Sequence, residues 1–209
     1  MMKVLIVGGG GREHAIAWKL SQSRARPEIV CAPGNAGIAE VARCVSVDPE
    51  DVEAATRIAR DEAPGLVVIG PEVPLAKGLT DEIESLGIPV FGPNKKCAQL
   101  EASKSFTKAF LARHGIPTAA YREYTDMAAL KADIGVFGYP MVLKADGLAA
   151  GKGVALAKDA AEAERAIEDM MGAKIFGAAG DVVVVEECLK GVEASVLCFV
   201  DGSAIAPME

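Results

Sequence analysis

Hydrophobic and polar positions alternate along roughly the first hundred residues in two rhythms. Apolar runs of strand length fall at Lys3–Val7, Glu28–Ala32, Leu66–Ile69 and Ile88–Phe91, and a further short strand is expected at Arg43–Val47. Between them helical spacing occupies Arg12–Leu20, Ala76–Leu86 and Pro49–Ala63, where Val52, Ala55, Ile58 and Ala59 share one face. This alternation predicts βαβ units and a parallel sheet covered on both faces. The predicted strands lead into Gly8, Pro33-Gly34-Asn35, Gly70-Pro71-Glu72 and Gly92-Pro93-Asn94. In an open parallel sheet such turns share the carboxyl edge, where ligands bind. A single turn of this kind can equally do no more than reverse the chain, and that reading is preferred for Gly92-Pro93.

Past a helical connection at Ala102–His114 the rhythm changes. Tyr139–Ala145 and Gly153–Lys158 read as strands with only a glycine-rich loop between them, too short for a crossover helix, so they should pair antiparallel. A helix at Ala160–Met171, a β-branched run at Asp181–Glu187 and a strand at Ala194–Val200 complete a second unit of α+β character. The boundary is expected within Gln99–Ala119, giving domains 1–101 and 102–209. The chain stops just past a strand, which is read as a cut within a longer protein.

Composition narrows the function classes. With 22 basic against 29 acidic residues the net charge is −7, which argues against an extended nucleic-acid surface and leaves room for a local basic pocket. No apolar run approaches the ~20 residues that span a bilayer, and the N-terminus has no signal-peptide pattern. The five cysteines show no CxxC spacing. Reduced thiols in a cytoplasmic protein are expected.

Two glycine-rich loops carry candidate chemistry. Gly8-Gly9-Gly10-Gly11-Arg12-Glu13-His14 follows the first strand and opens a helix, an arrangement that offers backbone amides to an anion. A dinucleotide fingerprint needs Gly or Ala where this chain has Glu13 or His14, so an NAD reading is weak. A sugar phosphate with Arg12 as charge partner fits better. The second loop runs Lys144-Ala145-Asp146-Gly147-Leu148-Ala149-Ala150-Gly151-Lys152-Gly153. It misses the Walker A spacing, lacks the Ser or Thr after the lysine, and joins two strands. It resembles the nucleotide flap of the ATP-grasp ligases. Downstream, Glu186-Glu187-Cys188-Leu189 and Gly191-Val192-Glu193 read alone as strand, turn and strand.

Taken in order, these strings resemble the glycinamide ribonucleotide synthetase (phosphoribosylamine–glycine ligase) family: Gly10-Gly11-Arg12-Glu13-His14-Ala15, Ala32-Pro33-Gly34-Asn35, Gly70-Pro71-Glu72, Ser103-Lys104, the Lys144–Val154 loop and Glu186–Ser195. One departure is Gly9, where the family often carries Asn. The resemblance implies a Rossmann-like N-terminal domain followed by an incomplete ATP-grasp domain. It also implies a purine-biosynthetic reaction in which ATP, glycine and 5-phosphoribosylamine give glycinamide ribonucleotide, ADP and phosphate through glycyl phosphate. By the same resemblance Lys104 and Lys144 would hold ATP phosphates beneath the Asp146–Gly153 loop. Glu187 and Leu189 would contact adenine through the backbone, with Glu193 on the ribose and Glu186 also in the ATP site. The sugar substrate would lie near Gly10, Gly11, Arg12, Asn35 and Glu72. Mg²⁺ (or Mn²⁺), its ligands, the glycine site and the catalytic groups are expected beyond Glu209, so the chain alone is expected to be inactive. Two alternatives remain at this point: another ATP-grasp carboxylate–amine ligase, or a nucleotide-binding fragment without turnover.

Overall fold

The computed structural model describes residues 2–149 and 151–208. In chain order, β1 (Lys3–Gly8), α1 (Gly11–Ser21), β2 (Glu28–Pro33), β3 (Arg43–Cys44), α2 (Val52–Glu62), β4 (Leu66–Ile69), α3 (Glu72–Lys77), α4 (Leu79–Glu84) and β5 (Val90–Phe91) build the first unit. Its five strands are parallel in the order β3-β2-β1-β4-β5. Period-two alternation explains the near-continuous apolar strands. Leu5, Val7, Val30 and Val67 pack with Ala55 and Ala59 of α2 and with Leu79 and Ile83 of α4. Val4, Ile6, Ile29 and Val68 pack on the other face with Ala17 of α1. After β1 the chain winds outward through β2 and β3, then returns to β1's other side with β4. The topological switch therefore lies between β1 and β4, where open α/β sheets bind ligands.

Two helices, α5 (Lys95–Ala102) and α6 (Lys104–Arg113), lead into the second unit, each capped by the side chain of the residue before it, Asn94 and Ser103. There follow β6 (Tyr121–Tyr124), α7 (Met127–Ala132), β7 (Met141–Ala145), β8 (Val154–Ala157), α8 (Ala160–Ile167) and β9 (Val183–Glu187). These strands form an antiparallel sheet ordered β6-β9-β7-β8. One face carries Met141, Leu143, Ala145, Val183 and Val185 against Leu130 of α7 and Ile167 of α8. By the same alternation Lys144 of β7 and Glu186 of β9 fall on the opposite face. A separate hairpin, β10 (Cys198–Val200) with β11 (Ile205–Pro207), stands beyond it, its Phe199 ring 5.9 Å from that of Phe91. Among the described residues no helix is long and apolar enough to cross a membrane.

The α/β reading and the antiparallel hairpin agree with this architecture, whereas several element bounds differ. The helix expected over Ala76–Leu86 is two, because Gly78 takes φ +99° and ends α3 in a left-handed cap. The helix expected to run to Met171 leaves α geometry at Ile167 and continues as a wider π turn over Glu168–Gly172. The strand expected over Ala194–Val200 is reduced to Cys198–Val200. The short strand β6, the helix α7 and the edge strand β11 had no counterpart in the sequence reading.

Candidate functional site

At the switch point the loops after β1 and β4 meet. The Arg12 Nη2 donates to Glu72 Oε1 at 3.0 Å, tying the first loop to the start of α3. Glu72's own backbone amide, together with Arg12, holds its carboxyl below the usual range, so it stays charged. The loop after β2 joins through Asn35, whose Nδ2 donates to Gly9 O at 2.9 Å while its Oδ1 accepts from Ile38 N at 2.9 Å. Gly10, Gly11, Arg12, Asn35 and Glu72 thus come together on one sheet edge. A Cβ on Gly11 would meet nothing within 4 Å, so this position is open to a ligand.

One further group at this edge is Glu13, which the sequence pattern enters in the family string and against a dinucleotide fingerprint but not among the candidate site residues. Glu13 is 3% exposed. Its Oε2 accepts from Gly10 N at 2.6 Å and its Oε1 from Arg12 Nε at 3.1 Å. It sits at the third position of α1 and accepts from the capping residue's amide, half of a capping box in which glycine has no side chain to return the bond. Acidic residues in a first helical turn were the available signal.

The second cluster lies where β7 and β9 face α6. Glu186 is buried between two lysines, its Oε1 2.9 Å from Lys144 Nζ and its Oε2 3.2 Å from Lys108 Nζ. Lys108, itself buried, also donates to Thr118 Oγ1 at 2.8 Å and Ala119 O at 3.0 Å. The sequence reading did not single out Lys108, although its four-residue spacing from Lys104 places both on one face of α6. Lys104 Nζ donates to Gly147 O at 2.8 Å. Burial lowers its pKa, against the opposing pull of Asp146. A partly desolvated ammonium that gives its bond to a neutral carbonyl is suited to an anionic ligand.

The glycine-rich loop is hinged rather than free. The Asp146 carboxylate accepts from Lys104 N at 2.5 Å, Ser105 N at 3.2 Å and Ser103 Oγ at 3.1 Å, capping α6. Lys152 N donates to Ala149 O at 2.9 Å, closing a turn inside the loop. Ala150 lies outside the described residues. Glu187 turns away from the cluster and accepts from Ala120 N at 2.8 Å. Leu189 and Glu193 occupy an exposed segment without regular structure and are not brought to the lysines. A cleft of about 770 Å³ joins the two clusters, lined by Glu72 and Val73 on one side and by Lys104, Gly147, Leu148, Ala149 and Gly151 on the other.

Residues 2–101 match the N domain of phosphoribosylglycinamide synthetase, and residues 102–209 match its ATP-grasp (A) domain. The chain is 51% identical over 209 residues to the phosphoribosylamine–glycine ligase of Xanthomonas axonopodis pv. citri (strain 306), covering 99% of this chain and 48% of that protein. It is also 51% identical to the trifunctional purine biosynthetic protein adenosine-3 of Gallus gallus, over 99% of this chain and 21% of that one. The solved phosphoribosylamine–glycine ligase of Thermotoga maritima aligns with a TM-score of 0.79 at 30% identity, covering 98% of this chain and 48% of that one. The biotin carboxylase domain of Hydrogenobacter thermophilus 2-oxoglutarate carboxylase, solved with MgADP, shares the fold at a TM-score of 0.71 and 20% identity, over 91% of this chain and 45% of that one. The chain spans about half the length of the curated ligases it matches.

Proposed function

The chain belongs to the phosphoribosylglycinamide synthetase family, and on that footing we propose that it forms the sugar-phosphate edge and nucleotide flap of an ATP-dependent ligase joining glycine to 5-phosphoribosylamine. The observation that carries this reading is the shared cleft, with Glu72 of the first unit facing Lys104 and the Gly147–Gly151 loop of the second. An acyl phosphate made under the flap would there meet an amine held at the sheet edge.

In this reading Arg12 and the Gly11 amide take the sugar's phosphate at the turn through Gly10, Asn35 keeps their loop in place, and Glu72 takes the amine or a sugar hydroxyl. Lys104 and Lys144 take ATP phosphates under the loop that runs from Asp146 to Gly153 and carries Lys152. Glu186 holds Lys144, and adenine and ribose fall to the end of β9 at Glu187 and to Leu189 and Glu193 in the segment that follows it. A glycine carboxylate oxygen attacks the γ-phosphorus as the bond to ADP breaks. The sugar amine then attacks the acyl carbon, inorganic phosphate leaves, and the amine gives up a proton. Positioning and charge neutralisation are the protein's share of such chemistry.

A divalent cation, Mg²⁺ or Mn²⁺, is part of the proposal for the whole protein, in a cytoplasmic setting where the free thiols stay reduced. Among the described residues no group of three or more His, Cys, Asp or Glu is placed to hold one. We accordingly propose that this 209-residue segment binds ligands without turnover. Calorimetry with a non-hydrolysable ATP analogue and with ribose 5-phosphate, each titrated alone, should show a distinct site for each on the segment. ADP release requiring both glycine and phosphoribosylamine should appear only with the whole protein. Steady ADP release by the segment alone would sink the division of labour, and no binding of either probe would sink the site.

A further inference from the structure

We infer that Glu13 is a positioning residue for anion recognition at the β1–β4 edge, an inference that rests on the sugar-phosphate reading above. A buried carboxylate beneath a phosphate site would repel the ligand unless its charge is already committed, and here it is. Its two oxygens take the Gly10 amide at 2.6 Å and the Arg12 Nε at 3.1 Å. The guanidinium is thereby held at two points, by Glu13 through Nε and by Glu72 through Nη2 at 3.0 Å. Of its five N–H groups, the two on Nη1 and one on Nη2 take no protein acceptor among the described residues.

The surrounding glycines are shaped to this one side chain. A Cβ on Gly70 would stand 1.9 Å from Glu13 Oε1, and one on Gly8 would stand 2.8 Å from Glu13 Cγ. The absence of side chains at the ends of β1 and β4 thus makes room for Glu13, while among Gly8, Gly9, Gly10, Gly11 and Gly70 it is Gly11 that faces open space. Glu13 acts on a ligand by orienting Arg12 and by fixing the loop at Gly10, and touches none itself.

The test uses the full chain, with ribose 5-phosphate and a non-hydrolysable ATP analogue as separate calorimetric probes. Glu13→Gln should weaken ribose 5-phosphate about tenfold, the effect of losing one charge-assisted bond that orients a ligand-facing group, and leave the ATP analogue unchanged. Arg12→Ala should weaken it at least as much, and the double variant by clearly less than the sum of the two losses, because Glu13 works in large part through Arg12. Gly70→Ala, which displaces Glu13 without altering it, should repeat the Glu13→Gln loss and keeps the test informative if that variant folds poorly. Equal binding by Glu13→Gln and wild type, additive losses in the double variant, or a parallel loss of the ATP analogue would each overturn the inference. If the wild type binds the ATP analogue but not ribose 5-phosphate, the sugar-phosphate reading itself falls, and this inference with it.

Discussion

Individual side chains at this site are set by what desolvates them. Burial lowers the Lys104 pKa below its ordinary 10.5, so the unfolded chain binds more protons in the window just under that value. Stability should rise with pH across that window. An anionic phosphate beside Lys104 restores its charged form. Binding of an ATP analogue at alkaline pH should therefore take up protons, read by calorimetry in buffers of different ionisation enthalpy, and Lys104→Met should abolish the uptake. Lys108 plays a structural part in the same cluster. Lys108→Met leaves Glu186 with one of its two cations and should cost about 2 kcal/mol in denaturant unfolding. Cys31, its thiol pushed up to about 12 chiefly by burial, should resist an aromatic disulfide reagent at neutral pH while exposed Cys44, Cys97 and Cys198 react.

At the scale of the element, helix caps connect fold to site. Asp146, expected to help cover phosphates, spends its carboxylate on the first amides of α6. Asp146→Ala should lower stability by about 1–2 kcal/mol and weaken the ATP analogue, while Asp146→Asn, which keeps an acceptor, should retain most of both; thermal unfolding with and without the analogue checks this. Elements were legible where a periodic apolar pattern drove them. β1, β2, β4 and α2 fall within a few residues of expectation because burial on two faces, or on one helical face, writes itself into composition. β6 escaped notice because Tyr121-Arg122-Glu123-Tyr124 buries only Tyr124 and takes its place from pairing with β9. Gly78 hid inside a helical pattern, since a left-handed cap is a backbone event that leaves the apolar spacing intact. In the site, glycine, arginine and lysine strings announced themselves, but Glu13 and Lys108 did not. Their roles depend on contacts made only when β1, β4, α6 and β9 are assembled.

The whole chain divides its work between two cores. The first unit has apolar clusters on both faces of its sheet, and α5 contributes Ala98 to one of them; the second has a cluster of its own. We propose from this that residues 1–103 fold alone. Such a fragment should melt cooperatively and bind ribose 5-phosphate, yet show no heat with the ATP analogue; a non-cooperative melt would contradict a boundary near residue 101. The joining cleft draws its lining from both sides. Coupling between the two probes should accordingly appear in the full chain and vanish when the halves are mixed as separate fragments.

The way Glu13 fills the space left by Gly8 and Gly70 also constrains how this sequence can change. Position 70 is not free to acquire a methyl group while position 13 keeps its full length. Shortening Glu13 first would slacken the loop before any gain is realised. The two sites therefore form an epistatic pair in which the order of substitutions matters. In a library randomised at both positions and selected for ligand binding, side chains at 70 should appear only beside smaller residues at 13, so the permitted histories of this edge follow from one carboxylate's volume.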